Sequence, residues 1–170
     1  MTPRAKWPSG VEKTLALPEQ PLAANLIASA RRFAQRTAII FHGAHYDYQT
    51  LLDRVEKLSG YFQHGQGLKP GDRVLLFMQN SPQFIISYYA ILHAGGVVVP
   101  VNPMSRSAEL DYICSDTGAK IICLGAELCE VVTPLLRAGK FDCALVADYA
   151  QMADPNYDLA LPKGLHKRDL

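Results

Sequence analysis

Residues 73–78 read Arg-Val-Leu-Leu-Phe-Met, a nearly continuous apolar run. Such a run marks a strand covered on both faces, as in a parallel sheet. Parallel neighbours cannot be joined by a tight turn, so the strand commits the chain to crossover connections through helices. The sequence supplies them in order. Ser81-Pro82 offers an N-cap and a proline at the first helical position. The helix that follows (Phe84, Ile85, Ile86, Tyr88, Tyr89, Ile91, Leu92) is apolar almost all round and must therefore be buried. Gly95-Gly96 ends it, Val97-Val-Val-Pro-Val is a second short strand, and Asn102-Pro-Met leads to Ser105, read as the cap of a helix over 106–117 that Gly118 stops. Lys120-Ile-Ile-Cys-Leu, an apolar helical stretch from Glu127 to Ala138 crossed by Pro134, and Cys143-Ala-Leu-Val continue the strand–helix–strand order. The fold class is α/β, with a mostly parallel sheet flanked by helices.

Upstream, Leu22, Leu26, Ile27, Ala30, Phe33 and Ala34 recur at helical steps and give one face of an amphipathic helix. Thr37-Ala-Ile-Ile-Phe and His45-Tyr-Asp-Tyr form a hairpin closing at His42-Gly-Ala-His. Asp47 stands at the N-cap of a helix whose stripe is Leu51, Leu52, Val55, Leu58 and Tyr61-Phe62, ending near His64-Gly65. The prolines at 3, 8, 18 and 21 make residues 1–21 an extended arm, residues 22–148 are the α/β unit, and Pro155, Asn156, Pro162 and Gly164 make residues 149–170 a linker or tail.

Charge and cysteine usage exclude several functions. Lys plus Arg total 17 against 16 Asp plus Glu, too balanced to hold nucleic acid or an anionic membrane, so no nucleic-acid partner is expected. No apolar stretch reaches the roughly 20 residues of a membrane helix, and the N-terminus lacks a secretory h-region, so a cytoplasmic location is the default. Cys114, Cys123, Cys129 and Cys143 have no C-x-x-C spacing and read as reduced, buried small hydrophobes, not zinc ligands.

Motifs that carry chemistry are scarce. Gly65-Gln-Gly-Leu-Lys-Pro-Gly71 has a late third glycine and precedes a strand instead of following one, so it reads as a helix end and turn. His42 and His45 lack a third ligand and read as hairpin-corner residues. Glu109, Asp111 and Asp116 share one helix and suit its dipole. Neither a P-loop nor a G-x-S-x-G elbow occurs. No catalytic residue, cofactor-binding residue or metal ligand is assigned. Asn102-Pro103, at the end of a strand where α/β sheets place ligands, is the one spot to watch for a contribution to a cleft, although a capped turn is the favoured reading.

Six segments in order carry a resemblance: Asn25-Leu-Ile with Arg36-Thr-Ala-Ile; Tyr46-Asp-Tyr-Gln-Thr-Leu; Leu68-Lys-Pro-Gly-Asp-Arg-Val; Gln79-Asn-Ser-Pro-Gln-Phe; Ala90-Ile-Leu-His-Ala-Gly-Gly-Val-Val-Val-Pro-Val-Asn-Pro; and Glu109-Leu with Asp116-Thr-Gly-Ala-Lys. Over about residues 22–125 the chain resembles the N-terminal region of the AMP-forming acyl-CoA synthetases of the adenylate-forming superfamily. Trp7-Pro-Ser-Gly-Val and Pro82-Gln-Phe-Ile-Ile-Ser-Tyr-Tyr look most like the long- and medium-chain fatty-acyl branch.

The resemblance implies a parent that activates a fatty acid with ATP and Mg to an acyl-adenylate and transfers the acyl group to CoA. It also implies a Ser/Thr/Gly-rich phosphate loop ending in Pro-Lys-Gly and a later catalytic lysine, and neither is found in residues 1–170. The expectation is an inactive N-terminal fragment that binds none of these cofactors tightly and could associate through uncovered apolar surface as a homo-oligomer. The alternatives are a stand-alone α/β binding or interaction module, or a ligase for another carboxylic acid.

Overall fold

The computed structural model describes residues 8–14, 17 and 19–157. The described residues before Leu22 form no helix or strand. Helix α1 (Ala23–Phe33) buries Ala23, Leu26 and Ala30, spaced three and four apart as an amphipathic face requires. Strands β1 (Thr37–Phe41) and β2 (Ala44–Asp47) pair antiparallel as a separate hairpin. Its corner is His42 at φ 40° and Gly43 at φ 78°, the two positive φ values a two-residue hairpin turn needs.

Helix α2 (Tyr48–Gly60) begins where Asp47 accepts the Thr50 N–H at 2.7 Å. That bond holds the Asp47 carboxyl below its ordinary range. A carboxyl lowered in the folded state stabilises it above the unfolded pKa, near 4, and loses that contribution as pH falls through the folded value. The urea-midpoint advantage of wild type over Asp47→Asn should therefore be constant above about pH 5 and close below about pH 4; a gap that widens on acidification would contradict the cap. Helix α2 runs on into a wider π turn at Tyr61–Gly65, closed by Gln66 N–H to the Tyr61 carbonyl at 3.0 Å.

Strands β3 (Arg73–Phe77), β4 (Val97–Pro100), β5 (Ile121–Gly125) and β6 (Cys143–Ala147) form one all-parallel sheet in the order β4-β3-β5-β6. Helices α3 (Pro82–His93), α4 (Ser107–Thr117) and α5 (Cys129–Arg137) make the crossovers. Alternate residues of β3 and β5 serve different cores. Val74, Leu76, Ile121 and Cys123 pack with α1, α2 and α3, while Leu75, Phe77, Ile122 and Leu124 pack with α4 and α5. This two-faced burial is why β3 is apolar from Val74 onward.

Ser81 caps α3, its Oγ accepting the Phe84 N–H at 3.1 Å, and Gly118 ends α4 in the left-handed region. Three expectations need correction. The cap of α4 is Arg106, one residue beyond Ser105, because the Glu109 carboxylate reaches back to the Arg106 N–H at 2.8 Å. Helix α3 is not wholly buried: Ile86, Ala90 and Ile91 face the core, whereas Phe84, Ile85, Tyr88 and Tyr89 remain half-buried along its outer side. The segment after Asp148 is not a plain linker from its start. Its first residues fold as a 3-10 turn, Tyr149–Met152, with Tyr149 and Met152 buried, and continue to Tyr157 against the hairpin corner. No helix among the described residues is long and apolar enough to cross a membrane.

Candidate functional site

Strand β3 leads into α3 on one face of the sheet, and its neighbour β5 leads into α5 on the other. Where adjacent parallel strands send their connections to opposite faces, a crevice opens beyond their carboxyl ends, and open α/β sheets bind ligands there. In this chain the crevice is taken by Tyr149. Its hydroxyl accepts the Gln79 N–H beyond β3 at 2.8 Å and donates to Glu127 Oε1 beyond β5 at 2.8 Å. Burial, reinforced by Glu127, pushes the phenol well above its ordinary value, so Oη keeps its proton for that donation.

The second Glu127 oxygen is buried without a partner. Gly125, at the end of β5, has no room for a side chain, because a Cβ would run into Tyr149 Oη and the Glu127 carboxylate. The segment carrying Tyr149 is tied down on both sides. Gln83 Nε2 donates to the Asp148 carbonyl at 2.8 Å, Tyr46 Oη donates to the Met152 carbonyl at 2.8 Å, and the Asp154 N–H reaches the His42 carbonyl at 3.0 Å. A neighbouring cavity of about 260 Å³ includes Leu58, Ile86, Leu145 and Arg54 in its lining. It falls below the roughly 300–1,000 Å³ of ordinary small-molecule sites.

Asn102-Pro103 follows β4 at the same end of the sheet. Asn102 Oδ1 accepts the Met104 N–H at 3.0 Å and its carbonyl accepts the Ser105 N–H at 2.8 Å, so the segment is a capped turn with Asn102 exposed. The register Leu76↔Pro100 puts this turn beside the exit of β3, where Gln79 and Asn80 are exposed. The other motifs lie elsewhere. His42 takes the hairpin corner against the Phe41 and Tyr157 rings, and His45 is exposed on β2. The Gly65–Gly71 segment is the joint between the π turn and β3. Asp111 pairs with Lys140 at 2.7 Å on the surface of α4. Cys114 and Cys123 are buried, Cys129 and Cys143 half-buried, and burial pushes the Cys123 thiol up to about 12, the behaviour of a small hydrophobe.

Sequence reasoning missed Gln79, Gly125, Glu127 and Tyr149 as a group. Glu127 read as the start of a helix, and Tyr149 fell where periodicity lapses, so the one available signal was a lone aromatic directly after the last strand.

The family model for AMP-binding enzymes matches residues 26–161. A long-chain-fatty-acid–CoA ligase of Bacillus subtilis is 39% identical over 118 residues, which is 69% of this chain and 21% of that protein. Triostin synthetase I of Streptomyces triostinicus is 35% identical over 100 residues, 59% of this chain and 19% of that protein. Among solved structures, a long-chain-fatty-acid-CoA ligase of Archaeoglobus fulgidus superposes with a TM-score of 0.72 at 26% identity, over 79% of this chain and 28% of its own. The chain thus spans about a fifth of the length of the curated relatives it matches.

Proposed function

The chain belongs to the AMP-binding enzyme family, and on that premise we propose that it is the N-terminal part of a fatty-acid–CoA ligase. The observation that carries this reading is the 39% identity to the Bacillus subtilis long-chain-fatty-acid–CoA ligase over 118 residues. In the whole enzyme the fatty carboxylate attacks the α-phosphorus of ATP and pyrophosphate leaves. The thiol of CoA then attacks the acyl-adenylate carbonyl and AMP departs. Magnesium would neutralise charge on the phosphates.

Residues 1–170 contain no loop of successive glycines with a lysine to cradle a polyphosphate. We therefore assign no catalytic residue to this chain. Its role is structural and positional: four strands present their carboxyl ends as one wall of the cleft, held by Tyr149 and by the Asn102 turn. The location proposed is the cytoplasm.

The full-length parent should catalyse fatty-acid-dependent exchange of pyrophosphate into ATP, and residues 1–170 alone should not. Exchange by the 170-residue chain, or none by the parent with any fatty acid, would overturn the reading. A second reading, a ligase for another carboxylic acid, is favoured by the superposition on a benzoate CoA ligase of Burkholderia xenovorans, with a TM-score of 0.69 at 25% identity over 75% of this chain and 26% of its own. Aromatic acids and amino acids in the same assay separate the two.

A further inference from the structure

Resting on that ligase reading, we propose that Tyr149 is a positioning residue, whose hydroxyl fixes the β3–α3 turn at the rim of the substrate cleft of the whole enzyme. Three observations converge. The turn Gln79–Ser81 emerges beside the Asn102 turn, because Leu76 pairs with Pro100 and the Val101 N–H bonds the Leu76 carbonyl at 2.9 Å. Gln79, Asn80 and Asn102 are exposed, so three amide side chains share the carboxyl rim of the sheet, where open α/β folds take their ligands.

The two turns are anchored differently. Asn102 is fixed by its own local hydrogen bonds, whereas the Gln79 backbone is held from 70 residues away by Tyr149 Oη. Oη is itself oriented, since its proton goes to Glu127 Oε1 and Gly125 leaves room for both groups. Removing the hydroxyl frees the Gln79 N–H and with it the placement of Gln79 and Asn80. Misplacing a substrate-lining segment by about 1 Å costs on the order of a hundredfold in rate.

The test uses the full-length enzyme, assayed well below its melting temperature for pyrophosphate exchange and acyl-CoA formation. Tyr149→Phe keeps the ring and should lower kcat/KM by about ten- to a hundredfold. Glu127→Gln keeps an acceptor for Oη and should stay within about threefold of wild type. Val132→Ala, in the core on the far face, should lower the melting temperature with wild-type kinetics. Wild-type kinetics in Tyr149→Phe would overturn the proposal and leave the ligase reading intact. A wild-type parent without exchange activity would overturn the reading and this inference with it. If Tyr149→Phe does not fold, Glu127→Leu carries the same expectation, since it removes the acceptor that orients Oη.

Discussion

Replacing Phe77 by alanine should lower the unfolding free energy of the chain by about 3–5 kcal/mol, the usual cost of deleting a buried phenyl ring. Phe77 is 0% exposed and ends β3, an interior strand of the sheet. Its ring belongs to the core that Leu110 of α4 and Val132 of α5 build against Leu124 of β5. Elements on both sides of the ring are fixed by the parallel ladder, so the site can collapse little around the cavity. A domain has about 5–15 kcal/mol in total, so about a fifth or more would be lost. In urea the midpoint should fall with an unchanged slope, because the surface exposed on unfolding is nearly the same. Ile40→Ala is the control. Ile40 is 67% exposed on β1, and its truncation should stay within about 0.5 kcal/mol. A loss under about 1 kcal/mol for Phe77→Ala would mean that the α4–α5 layer does not close over the sheet as described.

The same strand shows why the fold was legible. Val74–Phe77 is apolar because both faces of the strand are covered, and that physical cause leaves its mark directly in composition. Asp47, Ser81 and Gly118 were legible for a similar reason: capping chemistry is local, so residue type and spacing specify it. The start of α4 was missed by one residue because two hydroxyls and an acid compete for the cap, and the reach of Glu109 decides it. The exposure of Phe84 and Tyr88 was misjudged because α3 is covered by helices only on some sides, a matter of tertiary layering that periodicity does not encode. The Tyr149 network was invisible for the strongest reason. Its members sit at 79, 125, 127 and 149, joined only by the strand order β4-β3-β5-β6, which no local pattern states.

Gly125→Ala should cost about 2–4 kcal/mol, although it adds a single methyl group to a residue with ordinary backbone angles. Conformational freedom is not the issue, since Gly125 is absent from the positive-φ glycines. Space is the issue. The new Cβ meets Tyr149 Oη and both oxygens of the Glu127 carboxylate. Glu127 can swing outward, but Tyr149 is 4% exposed and its segment is anchored at Met152 and Asp148, so the ring cannot retreat without loosening those bonds. Opening the network breaks the part-buried bond from the Gln79 N–H, and a lost hydrogen bond costs about 0.5–1.5 kcal/mol on top of the overpacking. A double-mutant cycle isolates the cause. In the Tyr149→Phe background the colliding oxygen is gone and the Gln79 bond already lost, so Gly125→Ala should cost at least about 1 kcal/mol less than in wild type. Additivity of the two substitutions to within about 0.5 kcal/mol would show that Gly125 is glycine for a reason other than the Tyr149 hydroxyl, and the network would lose its keystone.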